Sequence, residues 1–325
     1  MVNASNLLIT GATGSLGRHF LKLVLKECPY LKKISIYSRD EFKQYELAKE
    51  LPESVYPQLQ YVLGDIRDRD KLILATQGID IIVHIAALIH VPLGETNPDE
   101  FIKTNIGGSQ NIADAARINN VRKVIVVSTD KAVSPVNLYG ATKMIAEKIF
   151  LSAGQNNQKT KYTIIRFGNL FGARGSVIPL FREKAKEGNI PVTHPGMTRF
   201  TIPLTLAAKD ILWIMKHALG NEVFIPRMPS YHIIDLAKAI APTSTITYTG
   251  IRPGERLHEE LISPAESENT IELEDFYAII PINSNPEQYL QHYNAKKTPS
   301  GFSYSSNHNN VWLTEDQLTD MLSQL

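Results

Sequence analysis

Along the first half of the chain, apolar residues fall into short, nearly unbroken runs, separated by longer stretches where they recur every three or four positions. Residues 7–10, 34–38, 59–63, 81–86, 124–129 and 163–167 form the short runs, whose continuous apolar character predicts parallel strands covered on both faces. Residues 16–26, 69–75, 98–119 and 139–153 carry the helical spacing. This alternation predicts an α/β fold with a Rossmann-like, doubly wound parallel sheet. Beyond residue 169 the regularity fades and glycine and proline become denser. Residues 200–219 read as a strand and helix returning to the main layer, and 235–241 as a short helix. Residues 263–325 contain turn-prone stretches such as 303–310, and there is no internal repeat or low-complexity linker. The expected division is a Rossmann domain over 1–168, with 201–240 returning to it, and a smaller, non-contiguous C-terminal substrate-binding lobe from 169–200 and 241–325.

The 325 residues, 43% hydrophobic and 21% charged, suit a folded globular chain rather than a disordered one. With 34 Lys and Arg against 33 Asp and Glu, the formal charge is +1, which argues against wholesale binding to nucleic acid or a membrane surface. Cys28 is the sole cysteine, so neither an intrachain disulfide nor a thiolate metal cluster can form, and a reducing, cytoplasmic location is expected. The N-terminal residues 1–8 lack the pattern of a secretory signal. The most apolar stretch, 79–93, is interrupted by Asp80, His84 and His90 and is shorter than the ~20 residues of a membrane span.

Candidate chemistry begins where the first strand meets the first helix, at Gly11-Ala12-Thr13-Gly14-Ser15-Leu16-Gly17. Glycines there permit a tight turn and close approach of a pyrophosphate to a helix N-terminus, and the GxxGxxG spacing is that of short-chain dehydrogenase/reductases. At the end of the second strand, Ser38 stands where an NAD-binding chain prefers an acid. Arg39 and Lys43 could clamp the 2′-phosphate of NADP, which is the expected cofactor, although Asp40 lies between them. Asp65 and Ile66 follow the third strand, with Asp65 placed to reach the adenine edge, and Ala86 ends the fourth.

Tyr139 and Lys143 are four residues apart on one helix face, where an ammonium favours a phenolate able to take a proton from a substrate hydroxyl. Thr129, at the end of the preceding strand, fills the place of the tyrosine's usual hydroxyl partner. Asp130 and Lys131 add an adjoining acid and base that a simple dehydrogenase or epimerase does not need. His84 and His90 join no metal-ligand pattern, and His258-Glu259-Glu260 is not HExxH, so no metal site is expected.

Thr129-Asp130-Lys131, followed ten positions later by Tyr139 in Asn137-Leu138-Tyr139-Gly140-Ala141-Thr142-Lys143, resembles the inverting UDP-N-acetylglucosamine 4,6-dehydratases, which are extended short-chain dehydrogenase/reductases. Similar segments at 38–43, 86–88, 90–92, 102–106, 166–179, 197–200 and 251–259 extend the resemblance over essentially the whole chain. It implies a redox-neutral cycle. Tyr139 deprotonates the C4 hydroxyl as hydride moves from C4 to NADP+. Lys131 then removes the C5 proton, Asp130 protonates the departing C6 hydroxyl, and hydride returns to C6 with inversion at C5. The implied product is UDP-2-acetamido-2,6-dideoxy-β-L-arabino-hex-4-ulose. These roles require a neutral Lys131 and a protonated Asp130, states that desolvation favours.

The resemblance also places Leu170 and Arg174 beside the nicotinamide. It assigns Asn169, Val177, Thr193, Arg199, Arg252, Glu255 and Asn309 to the UDP-sugar, with the two arginines near its diphosphate. An ion pair between Arg252 and Glu255 is the alternative for that arginine. Ile89 departs from the family, whose members commonly have lysine there, and this leaves the sugar preference open. Residues 98–119 and the Tyr139 helix resemble the family's subunit contacts, so a homo-oligomer is expected, without the extra segments of long membrane-anchored relatives. The competing readings are a nucleotide-sugar 4-epimerase, a 4,6-dehydratase of another nucleotide sugar, and a non-catalytic NADP-sensing protein.

Overall fold

The computed structural model describes residues 5–156 and 159–325; residues 1–4, part of the N-terminal stretch considered above, lie outside the described residues. The six apolar runs form parallel strands β1 (Asn6–Thr10), β2 (Lys33–Ser38), β3 (Leu59–Leu63), β4 (Ile81–His84), β5 (Lys123–Thr129) and β6 (Lys161–Phe167), in the order 3-2-1-4-5-6. Strand order reverses between β1 and β4, and in such sheets ligands bind outside the carboxyl ends of the strands at the reversal. Helix α1 (Ser15–Glu27) follows β1 and buries Leu16, Phe20, Leu21 and Val24, the three- and four-residue repeat of an inward face.

The stretch 98–119 is not one regular helix. It divides into Pro98–Phe101, a π-helical turn Ile102–Gly107, and Gly108–Ile118. The wider turn turns Asn105 towards the segment after β4. Its amide accepts from the Leu88 N–H at 2.8 Å and donates to the Leu88 carbonyl at 2.9 Å and to Thr142 Oγ1 at 3.0 Å. That grip explains why β4 stops at His84 rather than running to residue 86: residues 85–90 satisfy their backbone outside the sheet.

Beyond β6 the sheet continues through Val223–Pro226, parallel to β6, and then through antiparallel Phe276–Ile279, Thr270–Glu272 and Lys296–Lys297, making ten strands among the described residues. The returning helix is Leu204–His217, packed against α1. The boundaries differ from the expected division in two places. Strands Thr198–Pro203 and Ser230–His232 join Asn169–Phe171 in a separate small sheet, and Ile233–Ile240 packs within the second core, so residues 201–240 are shared between the layers. Conversely, residues 270–297 belong to the main sheet. These edge strands are too short to show periodicity, yet Ile271, Phe276 and Ala278 bury fully against the main core. The second core gathers Phe181, Ile190, Val192, Leu236 and Leu318.

His84 ties β4 to β1. Thr10 Oγ1 accepts from the N–H groups of Ile85 and Ala86, so its own proton goes to His84 Nδ1, 2.8 Å away. Burial, reinforced by the charge of Lys143, pushes the imidazole down to about 3. A depressed folded-state pKa contributes stability that is present above the unfolded value of 6.5 and is lost as pH falls towards 3. Urea denaturation at pH 7 and pH 5 should therefore show a loss approaching about 1.4 kcal/mol per pH unit from this residue. The same comparison in His84→Gln should lack that increment.

Candidate active site

The glycine turn is packed against its own surroundings. A Cβ on Gly11 would lie 2.7 Å from the Ala86 nitrogen, and one on Gly17 would lie 2.2 Å from the Gly11 carbonyl oxygen. Gly14 is less crowded, at 3.3 Å, and caps α1 without a side-chain bond. The first N–H groups of a helix lack intrahelical partners, so the mouth of α1 offers donors to an anion. Thr13 Oγ1 lies 3.4 Å from Ser38 Oγ, and Ser15 Oγ accepts from the Arg174 N–H at 3.0 Å, tying the turn to the far wall.

Around the end of β2, the cations are partly engaged. Asp40 caps the helix Glu41–Glu50 by accepting from the Lys43 N–H at 3.0 Å, and its other oxygen is 2.8 Å from Lys43 Nζ. Arg39 is half-exposed and only loosely paired, 3.7 Å from Asp65. The Asp65 carboxylate is instead gripped by Arg67 at 2.6 and 2.9 Å. Burial would raise this carboxyl, but Arg67 and then Arg39 hold it below the usual range. The sequence pointed to Asp65 as the adenine contact and missed its arginine clamp. Ile66 is buried beneath Gly108.

At the carboxyl end of β5, Thr129 Oγ1 donates to Asp130 Oδ1 at 2.8 Å, and Lys131 Nζ donates to the same oxygen at 3.0 Å. The other Asp130 oxygen is buried without a partner among the described residues. Tyr139 arrives from the helix Leu138–Asn156 and lines the same cleft as Thr129. Burial pushes this phenol up to about 12, against the pull of Lys131.

Two expectations are corrected by this geometry. The cation that lowers Tyr139 is Lys131 rather than Lys143, whose Nζ donates to the Val127 carbonyl at 2.8 Å. Burial pushes Lys143 itself down to about 8, against the charge of Glu147. Nor does desolvation leave Lys131 neutral: burial alone would depress it, but Asp130 and then Glu259, 3.5 Å away, hold its ammonium above the ordinary lysine range.

Glu147 continues the spacing of Tyr139 and Lys143 by one more helical turn and was missed. It accepts from Ser128 Oγ at 2.6 Å and pairs with Arg166 at 2.8 Å, and Arg166 reaches Glu266 at 2.8 Å. That four-residue repeat was the available signal. Glu259 was also missed, because only a metal motif was sought around it. Tyr231, which lines the cleft with Asn169, carried no sequence signal.

These groups line a cleft of about 990 Å³. Gly11, Thr13, Gly14, Ser15, Leu16, Gly17, Ser38, Arg39, Lys43, Asp65, Ile66 and Ala86 form one end, and Thr129, Lys131, Tyr139 and Lys143 the middle. Asn169, Leu170, Arg174, Val177, Arg199, Arg252 and Glu255 line the opposite wall, with Ile89, 57% exposed, at the mouth. Asp130 lies just beneath this surface.

Three substrate-side expectations change. Arg199 gives three of its five donors to the carbonyls of Thr198, Leu257 and Arg256, so most of its guanidinium organises its own wall. Thr193 lies outside the cleft lining, with its hydroxyl on Met197 Sδ. Asn309 braces a turn by donating to the Met228 carbonyl and Ser230 Oγ while its carbonyl accepts from Trp312. Arg252 is exposed and forms no side-chain ion pair among the described residues; Glu255 accepts from its backbone N–H instead. No described helix is long and apolar enough to cross a membrane. No described cluster of His, Cys, Asp or Glu is placed to hold a metal.

Comparison with known proteins places this geometry in context. Residues 7–281 match the family described as polysaccharide biosynthesis protein. A UDP-N-acetylglucosamine 4,6-dehydratase (inverting) from Campylobacter jejuni subsp. jejuni serotype O:2 is 43% identical over 99% of this chain and 98% of its own. A UDP-glucose 4-epimerase from Rickettsia bellii is 36% identical, covering 98% and 95%. The X-ray structure of Pen from Bacillus thuringiensis superimposes with a TM-score of 0.89 at 36% identity, covering 100% of this chain and 99% of that one.

The seam between β5 and the Tyr139 helix depends on Gly140, where a Cβ would fall 2.1 Å from the Lys131 carbonyl oxygen. Gly140→Ala should displace Lys131 and reduce turnover about 100-fold or more, as small misplacements of reacting groups do. Dinucleotide binding, measured by fluorescence titration, should stay near wild type.

Proposed function

Because this chain belongs to the polysaccharide biosynthesis protein family of extended short-chain dehydrogenase/reductases, we propose that it is a UDP-N-acetylglucosamine 4,6-dehydratase that inverts C5. The observation that carries this reading is the 3.0 Å bond between Asp130 and Lys131 directly beside Thr129 and Tyr139. A 4-epimerase needs only the proton chemistry of the tyrosine, whereas loss of water across C5 and C6 needs a base and an acid together.

The close-packed glycine turn and the open mouth of α1 fit a dinucleotide, held by Gly11, Thr13, Gly14, Ser15, Leu16 and Gly17. Ser38 in place of an acid and the half-exposed Arg39 support NADP as the dinucleotide. When bound, the nicotinamide supplies a reversible hydride acceptor. Tyr139, once its phenol proton has passed to solvent, takes the C4 hydroxyl proton as the phenolate, with Thr129 beside it. Lys131 takes the C5 proton, which the new C4 ketone has made acidic, and Asp130 protonates the departing C6 oxygen. The resting ammonium and carboxylate are one proton transfer from the free amine and acid that these roles require. Asn169 and Arg252 face the nucleotide sugar in this reading, Arg252 supplying a guanidinium to the diphosphate. The same reading makes the protein a cytoplasmic homo-oligomer, joined through the helices Gly108–Ile118 and Leu138–Asn156, which expose Ile118 and Ile145.

Incubation with UDP-N-acetylglucosamine and NADP in heavy water, followed by NMR, should yield a C6-methyl, 4-keto product carrying deuterium at an inverted C5. Simple epimerisation at C4 would favour the epimerase reading. Lys131→Ala should abolish the C5 label while leaving cofactor binding intact. Arg39→Ala should weaken NADP binding by about 10- to 100-fold, the worth of one charged hydrogen bond, while NAD binding changes little in the same titration.

A further inference from the structure

The floor of the cleft holds one more carboxylate than the reaction above uses. Glu259 Oε1 lies 3.5 Å from Lys131 Nζ and 3.6 Å from Arg199 Nε. Its other oxygen is buried without a partner among the described residues. Glu259 and Arg199 are 3% and 6% exposed, and both are fixed by backbone. The Glu259 N–H donates to Ser306 Oγ at 2.9 Å, its carbonyl accepts from the Ser306 N–H at 2.8 Å, and Arg199 is anchored on three carbonyls. Asp130, Tyr139, Tyr231, Glu255, Arg256 and His258 are the other ionisable groups facing this pair and Lys131.

Resting on the functional reading above, we propose that Arg199 and Glu259 form an ion pair that keeps the Asp130–Lys131 couple electrically balanced while a proton passes between them. Both are thereby positioning residues of the elimination step. Burial pushes the Glu259 carboxyl up, and the charges of Lys131 and Arg199 oppose that push. At rest, the carboxylates Asp130 and Glu259 offset the cations Lys131 and Arg199. When an N–H of Lys131 breaks and an O–H forms on Asp130, both members of the couple become neutral, and the charges that remain, on Glu259 and Arg199, still cancel. Lys131 then takes the C5 proton with its free electron pair, and Asp130 passes its proton to the departing C6 oxygen. Water leaves, and the couple is again ammonium and carboxylate. The proton taken from the C4 hydroxyl by Tyr139 equals in number the one that later reaches C5. At no stage is a buried ion stranded without a counter-charge, the arrangement a low-dielectric site penalises most.

The test is the pH dependence of kcat with UDP-N-acetylglucosamine and NADP, read by NMR of the C6-methyl product. Glu259→Gln removes the carboxylate that faces both cations, leaving Arg199 only Glu255 at 3.7 Å, and lowers the proton affinity of the couple, so the alkaline fall in kcat should begin about one pH unit lower than in the wild type. Adding Arg199→Gln restores neutrality and should return the fall towards its wild-type position, a rescue that repacking would not produce. An unmoved fall in Glu259→Gln, or a double variant displaced as far as the single one, overturns the proposal. Cofactor binding reports folding. If Glu259→Gln loses it, Glu259→Asp decides: with the charge kept, the fall should stay in place, and its displacement overturns the proposal. A wild type that forms no C6-methyl product overturns the functional reading itself, whereas an active wild type with unmoved variants overturns only this inference.

Discussion

The reaction centre depends on how closely the helix Leu138–Asn156 approaches the carboxyl end of β5. Glycine at 140 lets the helix backbone settle against the Lys131 carbonyl, and the approach is locked from behind by Ser128, Glu147 and Arg166. Arg166 belongs to β6 and Glu266 to the segment that enters the antiparallel edge of the sheet. One buried network therefore sets the spacing between strand, helix and the far wall. Tyr139, Thr129 and Lys131 inherit their positions from it, and none of the three needs a ligand to come within bonding reach of the next.

Two lysines show how neighbours rather than burial alone decide charge. Lys143 and Lys131 line the same cleft, and each loses hydration there. Lys143 has a carbonyl at hydrogen-bond distance and one more remote carboxylate, so desolvation prevails and its ammonium weakens. Lys131 sits between two carboxylates and is strengthened. Neighbouring carboxylates thus place the two lysines on opposite sides of the ordinary lysine range.

Much of this was legible before any coordinates. Apolar runs covered on both faces admit few arrangements, so β1 to β6 and their doubly wound parallel sheet followed from patterning, though the strand order did not. The glycine turn and the Tyr139–Lys143 spacing were readable because each is a local backbone or helix-face constraint. What escaped detection was non-local. Glu259 meets Lys131 across 128 positions of sequence only because the strand Glu260–Ile262 pairs with Tyr304–Ser305. The anchoring of Arg199 on three backbone carbonyls has no signature in residue identity. The edge strands between 270 and 297 are too short for periodicity to register, and the π-helical turn at Ile102–Gly107 imitates an ordinary helix in its spacing.

The way the second core is attached has a mechanical consequence. The chain enters it after β6, leaves at Leu204, re-enters at Ser230, returns to the main sheet by Thr270, and ends its last helix, Glu315–Ser323, against it. Walls stitched together at several junctions share any twist among all of them, so they do not swing about a single hinge. Part of the ordering of the cleft walls is thereby supplied when the polypeptide folds, before a ligand arrives.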